Sequence, residues 1–316
     1  MKATLVTGAS GFVARAVCLR LREAGVTVRA SVRDTSSIAP GVSDVVAVGT
    51  VGSGTDWSNA LRDIDVVVHT VARVHQMRDR APDALSAHRE VNTAGTERLA
   101  RAAAAAGVRR LIYLSSVKVL GDSRERMYSA EDEPAPCDPY SVSKWEAELA
   151  LACVSRETGI EIVVLRPPLV YGPGVKANFL RLLGAVARGI PLPFGAVENR
   201  RSMVYVGNLA DAVAAAARTP GIQGRTYAIS DGEDLSTPEL IRRIGRALGR
   251  PARLFSVSPR LIRLAASAIG KASAVDRLLG SLTVDTQPVR RELAWTPPFS
   301  VLDGLRETAA WFTSGR

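Results

Sequence analysis

Lysine is scarce in this 316-residue sequence: Lys2, Lys118, Lys144, Lys176 and Lys271 are all there is, so arginine supplies nearly all of the positive charge. Cysteine is scarce too. Cys18, Cys137 and Cys153 are odd in number and widely spaced, which argues against a disulfide framework and for free thiols in a reducing compartment. The three histidines, His69, His75 and His88, lack metal-ligand spacing and no CxxC pair accompanies them, so no metal is expected. Aromatics are only 5% of residues and the arginines run along the whole chain, which argues against a stacked, basic nucleic-acid surface. Long apolar runs are also missing. The stretch from Leu261 to Val275 is interrupted by Arg263 and Lys271 and is too short to span a bilayer. Lys2-Ala-Thr-Leu-Val-Thr7 reads as a strand, with no signal-peptide architecture before it. A cytoplasmic protein with no membrane partner is the expectation.

What is present is the composition of a folded enzyme: 47% hydrophobic, 23% charged, mean hydropathy +0.08. The length suits about two domains. The net charge of +10 suits anionic small ligands, because guanidinium pairs bidentately with phosphate, although an arginine-rich composition alone would also produce it.

Short β-branched runs near 2–7, 27–31, 45–48, 66–70, 111–115 and 160–165 alternate with helical patterns near 12–24, 57–62, 83–106 and 140–157. That alternation predicts an α/β fold with a doubly wound, Rossmann-type parallel sheet. From Pro167 onward prolines and glycines cluster, and a smaller α/β substrate-binding lobe is expected over 167–316, after a cofactor-binding domain over 1–166. Part of 202–230, with a strand near 226–230, is expected to return to the first domain. Ser236 followed by Glu239 reads as a helix start.

Thr7-Gly-Ala-Ser-Gly-Phe-Val-Ala14 follows the first strand and opens a helix, the context a dinucleotide loop requires. Gly8 allows the tight turn, Gly11 lets a pyrophosphate approach the backbone, and Phe12 and Val13 begin the helix whose amides face it. An acid at the tip of the second strand would bond a ribose 2′-hydroxyl; here Val28-Arg-Ala-Ser-Val-Arg-Asp34 has none at the tip and puts Arg33 just beyond. NADP(H) is therefore favoured, with NAD(H) possible. Tyr140-Ser-Val-Ser-Lys144 sets a phenol and an ammonium on one helix face, where the cation is expected to lower the phenol's pKa. Ser115-Ser116, at the end of the preceding strand, offers a hydroxyl to the same substrate oxygen.

These motifs, with His69-Thr-Val-Ala72, Val91-Asn-Thr-Ala-Gly-Thr96, Leu114-Ser-Ser-Val117 and Arg166-Pro-Pro-Leu-Val-Tyr-Gly-Pro173, occur in an order that resembles the extended short-chain dehydrogenase/reductases, the NAD-dependent epimerase/dehydratase family. The resemblance implies a catalytic triad of Ser116, Tyr140 and Lys144. It also implies cofactor contacts from Gly8, Gly11, Phe12, Val13, Arg33, Val71, Ala72, Asn92, Tyr140, Lys144, Pro167 and Leu169. Val48-Gly-Thr-Val51 departs from the family's usual adenine-reading aspartate, and Val71 replaces a commoner alanine. Arg201-Ser-Met-Val-Tyr-Val206 resembles the segment whose arginine binds the diphosphate of a nucleotide sugar in this family. By the same likeness Arg277 falls near a second such arginine, and Ser116, Lys118, Lys176, Asn178 and Phe179 would contact substrate. The implied activity is NAD(P)-dependent chemistry at C4 of a UDP-hexose, foremost a 4-reductase of a UDP-4-keto-6-deoxy-N-acetylhexosamine in surface-polysaccharide synthesis. A UDP-glucose or UDP-GlcNAc 4-epimerase is the alternative, and an NADPH-dependent reductase of a non-nucleotide carbonyl the second. A homodimer through 83–106 and 140–157 is implied as well.

Overall fold

The computed structural model describes residues 3–34, 41–74, 83–124, 126–268 and 272–315, except the side chains of 272–274 and 277. Nine strands are described: β1 Ala3–Thr7, β2 Val28–Val32, β3 Asp44–Ala47, β4 Ile64–His69, β5 Arg110–Leu114, β6 Glu161–Arg166, β7 Leu169–Tyr171, β8 Met203–Tyr205 and β9 Thr226–Ala228. Seven of them form one parallel sheet in the order β3-β2-β1-β4-β5-β6-β9, the Rossmann order with a strand added at one edge. Every residue of β5 is buried, as expected of a strand covered on both faces.

The helices are α1 Phe12–Glu23, α2 Ala84–His88, α3 Gly95–Ala105, α4 Pro139–Thr158, α5 Ala177–Ala187, α6 Val206–Arg218, α7 Thr237–Ala247, α8 Pro259–Ala268, α9 Ala272–Leu279, α10 Gln287–Glu292 and α11 Val301–Thr313. α1 and α6 cover one face of the sheet with Val17, Leu21, Leu209 and Val213, while α3 and α4 cover the other with Leu99, Ala103, Leu151 and Val154. β7 and β8 pair as a second small sheet, packed with α5, α7 and α11 around Phe179, Leu183, Ile241 and Leu305.

Two expected helices differ. Residues 57–62 form hydrogen-bonded turns instead: the Asp56 carboxylate accepts from Ser58 N at 2.9 Å, and the segment is too short to propagate a helix once a side chain competes for its amides. The run over 83–106 is helical but contains a π-helical turn at Arg89–Ala94. Widened turns of this kind recur where a side chain has a specific task, and Asn92 sits on this one. α4 starts where Asp138 and Ser141 form a capping box with Pro139 in the first turn, and ends at Gly159 with φ +78°. That start places Tyr140 in its first turn.

Candidate active site

The carboxyl ends of β1, β4 and β5 and the start of α4 converge on one side of the sheet. At β1, Gly8 has φ +65°, and a Cβ there would lie 2.8 Å from Val71 Cγ2, so only glycine fits the turn. Gly11 N bonds Gly8 O at 2.8 Å, and α1 then begins with no side-chain cap. Its first amides therefore face outward from a tight glycine turn, which fits a pyrophosphate. Val71 and Ala72 are half-buried beside this turn, Pro167 is buried, and Leu169 is exposed.

A buried chain of hydrogen bonds supports the turn. Thr7 Oγ1 accepts from Thr70 N at 3.1 Å and bonds His69 Nδ1 at 2.8 Å, while His69 Nε2 bonds Thr96 Oγ1 at 3.0 Å. Because Thr96 Oγ1 gives its proton to Asn92 O at 2.6 Å, it accepts from His69, which assigns the Nε2–H tautomer. Burial, with the Lys144 charge adding to it, lowers the His69 pKa to about 3. This imidazole stays neutral in the folded protein, whereas the unfolded chain protonates it below about 6.5. Stability contributed by this group is thus complete above pH 6.5 and lost as pH falls toward 3. Between pH 7 and 5 the loss is about 2 kcal/mol. Urea unfolding of wild type and His69→Gln should show a pH slope shallower by that amount in the variant; equal slopes would mean that His69 does not titrate in this way.

Asn92, expected to touch the cofactor, makes extensive contacts within the protein. Its amide is fully buried and engaged with protein at both ends, Oδ1 accepting from Arg73 N at 2.7 Å and Nδ2 donating to Arg73 O at 3.0 Å and Ser143 Oγ at 2.9 Å. Ser143 Oγ in turn donates to Tyr140 O at 2.8 Å. Asn92 therefore clamps the segment after β4 to the turn of α4 that carries Tyr140.

Ser115 and Ser116 separate cleanly. Ser115 Oγ is buried and donates to Glu148, whereas Ser116 begins the short 3-10 turn Val117–Leu120 and its hydroxyl lies beside the Tyr140 phenol. The expected lowering of the Tyr140 pKa by Lys144 is not what the packing produces. Burial, then the Asp138 carboxylate, push the phenol up to about 12, with Ser116 acting weakly against them. Lys144 Nζ is turned away to donate to Leu114 O at 2.6 Å and lies 4.1 Å from the centre of the Tyr113 ring. Burial lowers its pKa to about 7, against the raising effect of Glu148.

Among the other expected residues, Lys118 is paired with Asp138, and with Asp122 at 3.3 Å, so its charge holds the cap of α4 and is not an open cation. Phe179 is not on the cleft surface: it is buried and stacked on Tyr171 at 5.6 Å, because α5 presents it to the core of the small lobe. Lys176, at the N-cap of α5, and Asn178, in its first turn, are exposed. Arg201 Nη1 donates to Gly280 O at 2.8 Å, next to α9. Arg277 lies on α9, with its side chain outside the described residues, as His75 and Lys271 are altogether. Arg33 is exposed just past β2.

Two groups escape motif reading. His88 packs edge-on against Tyr140 at 6.2 Å, and Glu148 forms a buried ion pair with Arg166 at 2.5 Å. The second had a sequence signal: Tyr140, Lys144 and Glu148 recur every four residues on one face of α4. No His, Cys, Asp or Glu cluster among the described residues could hold a metal, and no described helix is long and apolar enough to cross a membrane.

A Rossmann sheet, a glycine turn opening α1, and a Ser/Tyr/Lys set just past β5 and on α4 together define an enzyme of the extended short-chain dehydrogenase/reductase type. The chain belongs to the NAD-dependent epimerase/dehydratase family, whose model matches residues 4–230. It is 38% identical over 315 residues to a UDP-glucose 4-epimerase of Vibrio cholerae, covering 98% of this chain and 95% of that one. It is also 28% identical to a 3-beta-hydroxysteroid dehydrogenase of Mycolicibacterium neoaurum, over 98% and 91% of the two chains. Among solved structures it superposes with a TM-score of 0.80 on the UDP-glucuronic acid 4-epimerase of Bacillus cereus in complex with NAD, at 23% identity and 99% coverage of both chains.

Proposed function

We propose that the chain is a UDP-hexose 4-epimerase using NAD. The observation that carries the reading is the Ser116 hydroxyl beside the Tyr140 phenol at the carboxyl edge of the sheet, facing the same side as the glycine turn. The near full-length likeness to a UDP-glucose 4-epimerase supports the choice of substrate and of epimerisation over net reduction. The cofactor would lie over Gly8, Gly11, Phe12 and Val13, with Val71, Ala72, Pro167 and Leu169 beside it. When bound, it supplies a hydride acceptor and donor. Ser116 donates a hydrogen bond to the C4 oxygen of the sugar, and Tyr140 exchanges the proton of that oxygen as the C4–H bond breaks and re-forms. In this scheme Tyr140 carries the proton, accepting it as a phenolate when the C4–H bond breaks and returning it when that bond re-forms; Lys144 lies one turn further along the same face of α4. On this reading residues 1–166, completed by β9, hold the cofactor, and 167–316 hold the nucleotide sugar.

Incubation with UDP-glucose or UDP-GlcNAc and no added reductant tests the proposal, by following the interconversion of the gluco and galacto epimers. Stoichiometric NADPH oxidation seen only with a 4-keto sugar would replace it with the reductase reading. Arg33 specifically favours that second reading, since it is exposed at the tip of β2 with no carboxylate partner among the described residues. If Arg33 holds a 2′-phosphate, Arg33→Asp weakens NADPH binding at least about tenfold and spares NADH. Equal affinities before and after the change would remove the argument.

Arg201 and Arg277 are proposed to bind the diphosphate. Arg201→Ala should raise the KM for the sugar nucleotide about tenfold or more at little cost in kcat, with UDP a competitive inhibitor of wild type. Absence of UDP binding by calorimetry would favour a non-nucleotide carbonyl substrate instead, the class to which the steroid dehydrogenase likeness points.

A further inference from the structure

Positive charge is not spread evenly after all. Residues 240–268 contain seven arginines and no acidic residue; Arg242 and Arg243 pair with Glu233 and Glu239, and Arg263 with Asp276. Within this stretch Arg253 and Arg260 are exposed with no carboxylate partner among the described residues. Arg250, also exposed, donates from Nη1 to the Ala187 carbonyl at 2.6 Å.

The same segment exposes large apolar side chains. α8 buries Ile262 and Ala266 against the small lobe, one helical turn apart. Its opposite face carries Leu261 and Leu264, 59% and 69% exposed, followed by Ala265 and Ala268, also exposed. Arg260 flanks this arc, and Phe255, 49% exposed, stands on the segment leading into the helix. A helix apolar on its solvent side and edged by arginine has no role in the core, which the Ile262 face already serves.

We propose that α8 and the segment before it dock the protein on an anionic lipid surface, with Leu261, Leu264 and Phe255 entering the interface and Arg253 and Arg260 meeting the headgroups. Lying on a bilayer requires a helix with an apolar face and a basic margin, not the length needed to span one. Charge selects this occupant. A second copy of the chain would bring Arg250, Arg253 and Arg260 against themselves, and a nucleic acid would pair with the arginines but leave two exposed leucines in water. An anionic bilayer satisfies both the arginines and the leucines, each arginine near the surface being worth about a fivefold gain in partitioning. This docking stands apart from the reaction proposed above and does not depend on it.

The test uses the full-length protein and vesicle flotation, with phosphatidylcholine vesicles and with vesicles that also contain phosphatidylglycerol. Binding to the mixed vesicles only, weakening as salt is raised, is the expected result. Leu261→Ser/Leu264→Ser should cut partitioning at least about tenfold, and Arg253→Gln/Arg260→Gln about 25-fold. Both double variants change exposed positions outside the proposed catalytic and binding machinery, so thermal midpoint and turnover should match wild type. Equal binding to neutral vesicles, no binding to either kind, or binding indifferent to the leucine substitutions would each overturn the proposal.

Discussion

Tyr140→Phe should lower kcat by at least about 10²-fold while cofactor affinity stays that of wild type. The substitution deletes one hydroxyl and nothing that holds α4 in place. Its capping box belongs to Asp138 and Ser141, and the clamp from Asn92 through Ser143 ends on the Tyr140 carbonyl, which phenylalanine retains. The edge contact of His88 with the ring is likewise kept. What disappears is the group able to take a proton from the C4 oxygen and return it. Ser116 remains as a hydrogen-bond donor, so residual turnover should survive. Epimer interconversion measured at saturating substrate, alongside cofactor binding by calorimetry, checks both halves. Turnover near the wild-type rate would remove Tyr140 from the chemistry and leave the fold assignment untouched.

The second large effect concerns stability. Arg166 and Glu148 have side chains only 5% exposed, and the guanidinium also donates to Ala130 O at 2.9 Å, which anchors the loop between Ser116 and Tyr140. Glu148 further accepts from Ser115. Arg166→Met removes one charge of a buried pair and leaves the other without its counter-ion, an arrangement that costs about 3–5 kcal/mol. A falling urea midpoint reports this. Glu148→Gln/Arg166→Met should recover most of the loss, because the uncompensated charge is then gone and only hydrogen bonds are missing. A loss under about 1 kcal/mol in the single variant would show that the pair contributes little, and one undiminished in the double variant would show that the Ala130 anchor dominates.

Much of this protein was determined locally. Alternating strand and helix periods, the glycines after β1, the capping residues Asp138 and Ser141, and the four-residue spacing of Tyr140 and Lys144 depend on neighbours a few positions away, and these dictate a parallel sheet with a phenol in the first turn of α4. Tertiary packing decided what spacing could not express. Ser115 and Ser116 are adjacent and chemically alike, yet one is fixed to Glu148, 33 positions along the chain, and the other is left beside the phenol. Lys144 shares a helix face with Tyr140, but its ammonium follows the Leu114 carbonyl on another strand, and burial sets both pKa values against the direction that proximity alone predicts. Asn92, Lys118 and Phe179 read as ligand contacts by motif, and packing gives them protein roles that motif spacing does not express: a clamp, a partner for the cap of α4 and a core contact with Tyr171. The physical reason is the same throughout. Burial and long-range hydrogen bonds are set by the elements packed across the sheet, and periodicity specifies a residue's face but not what the opposite face presents to it.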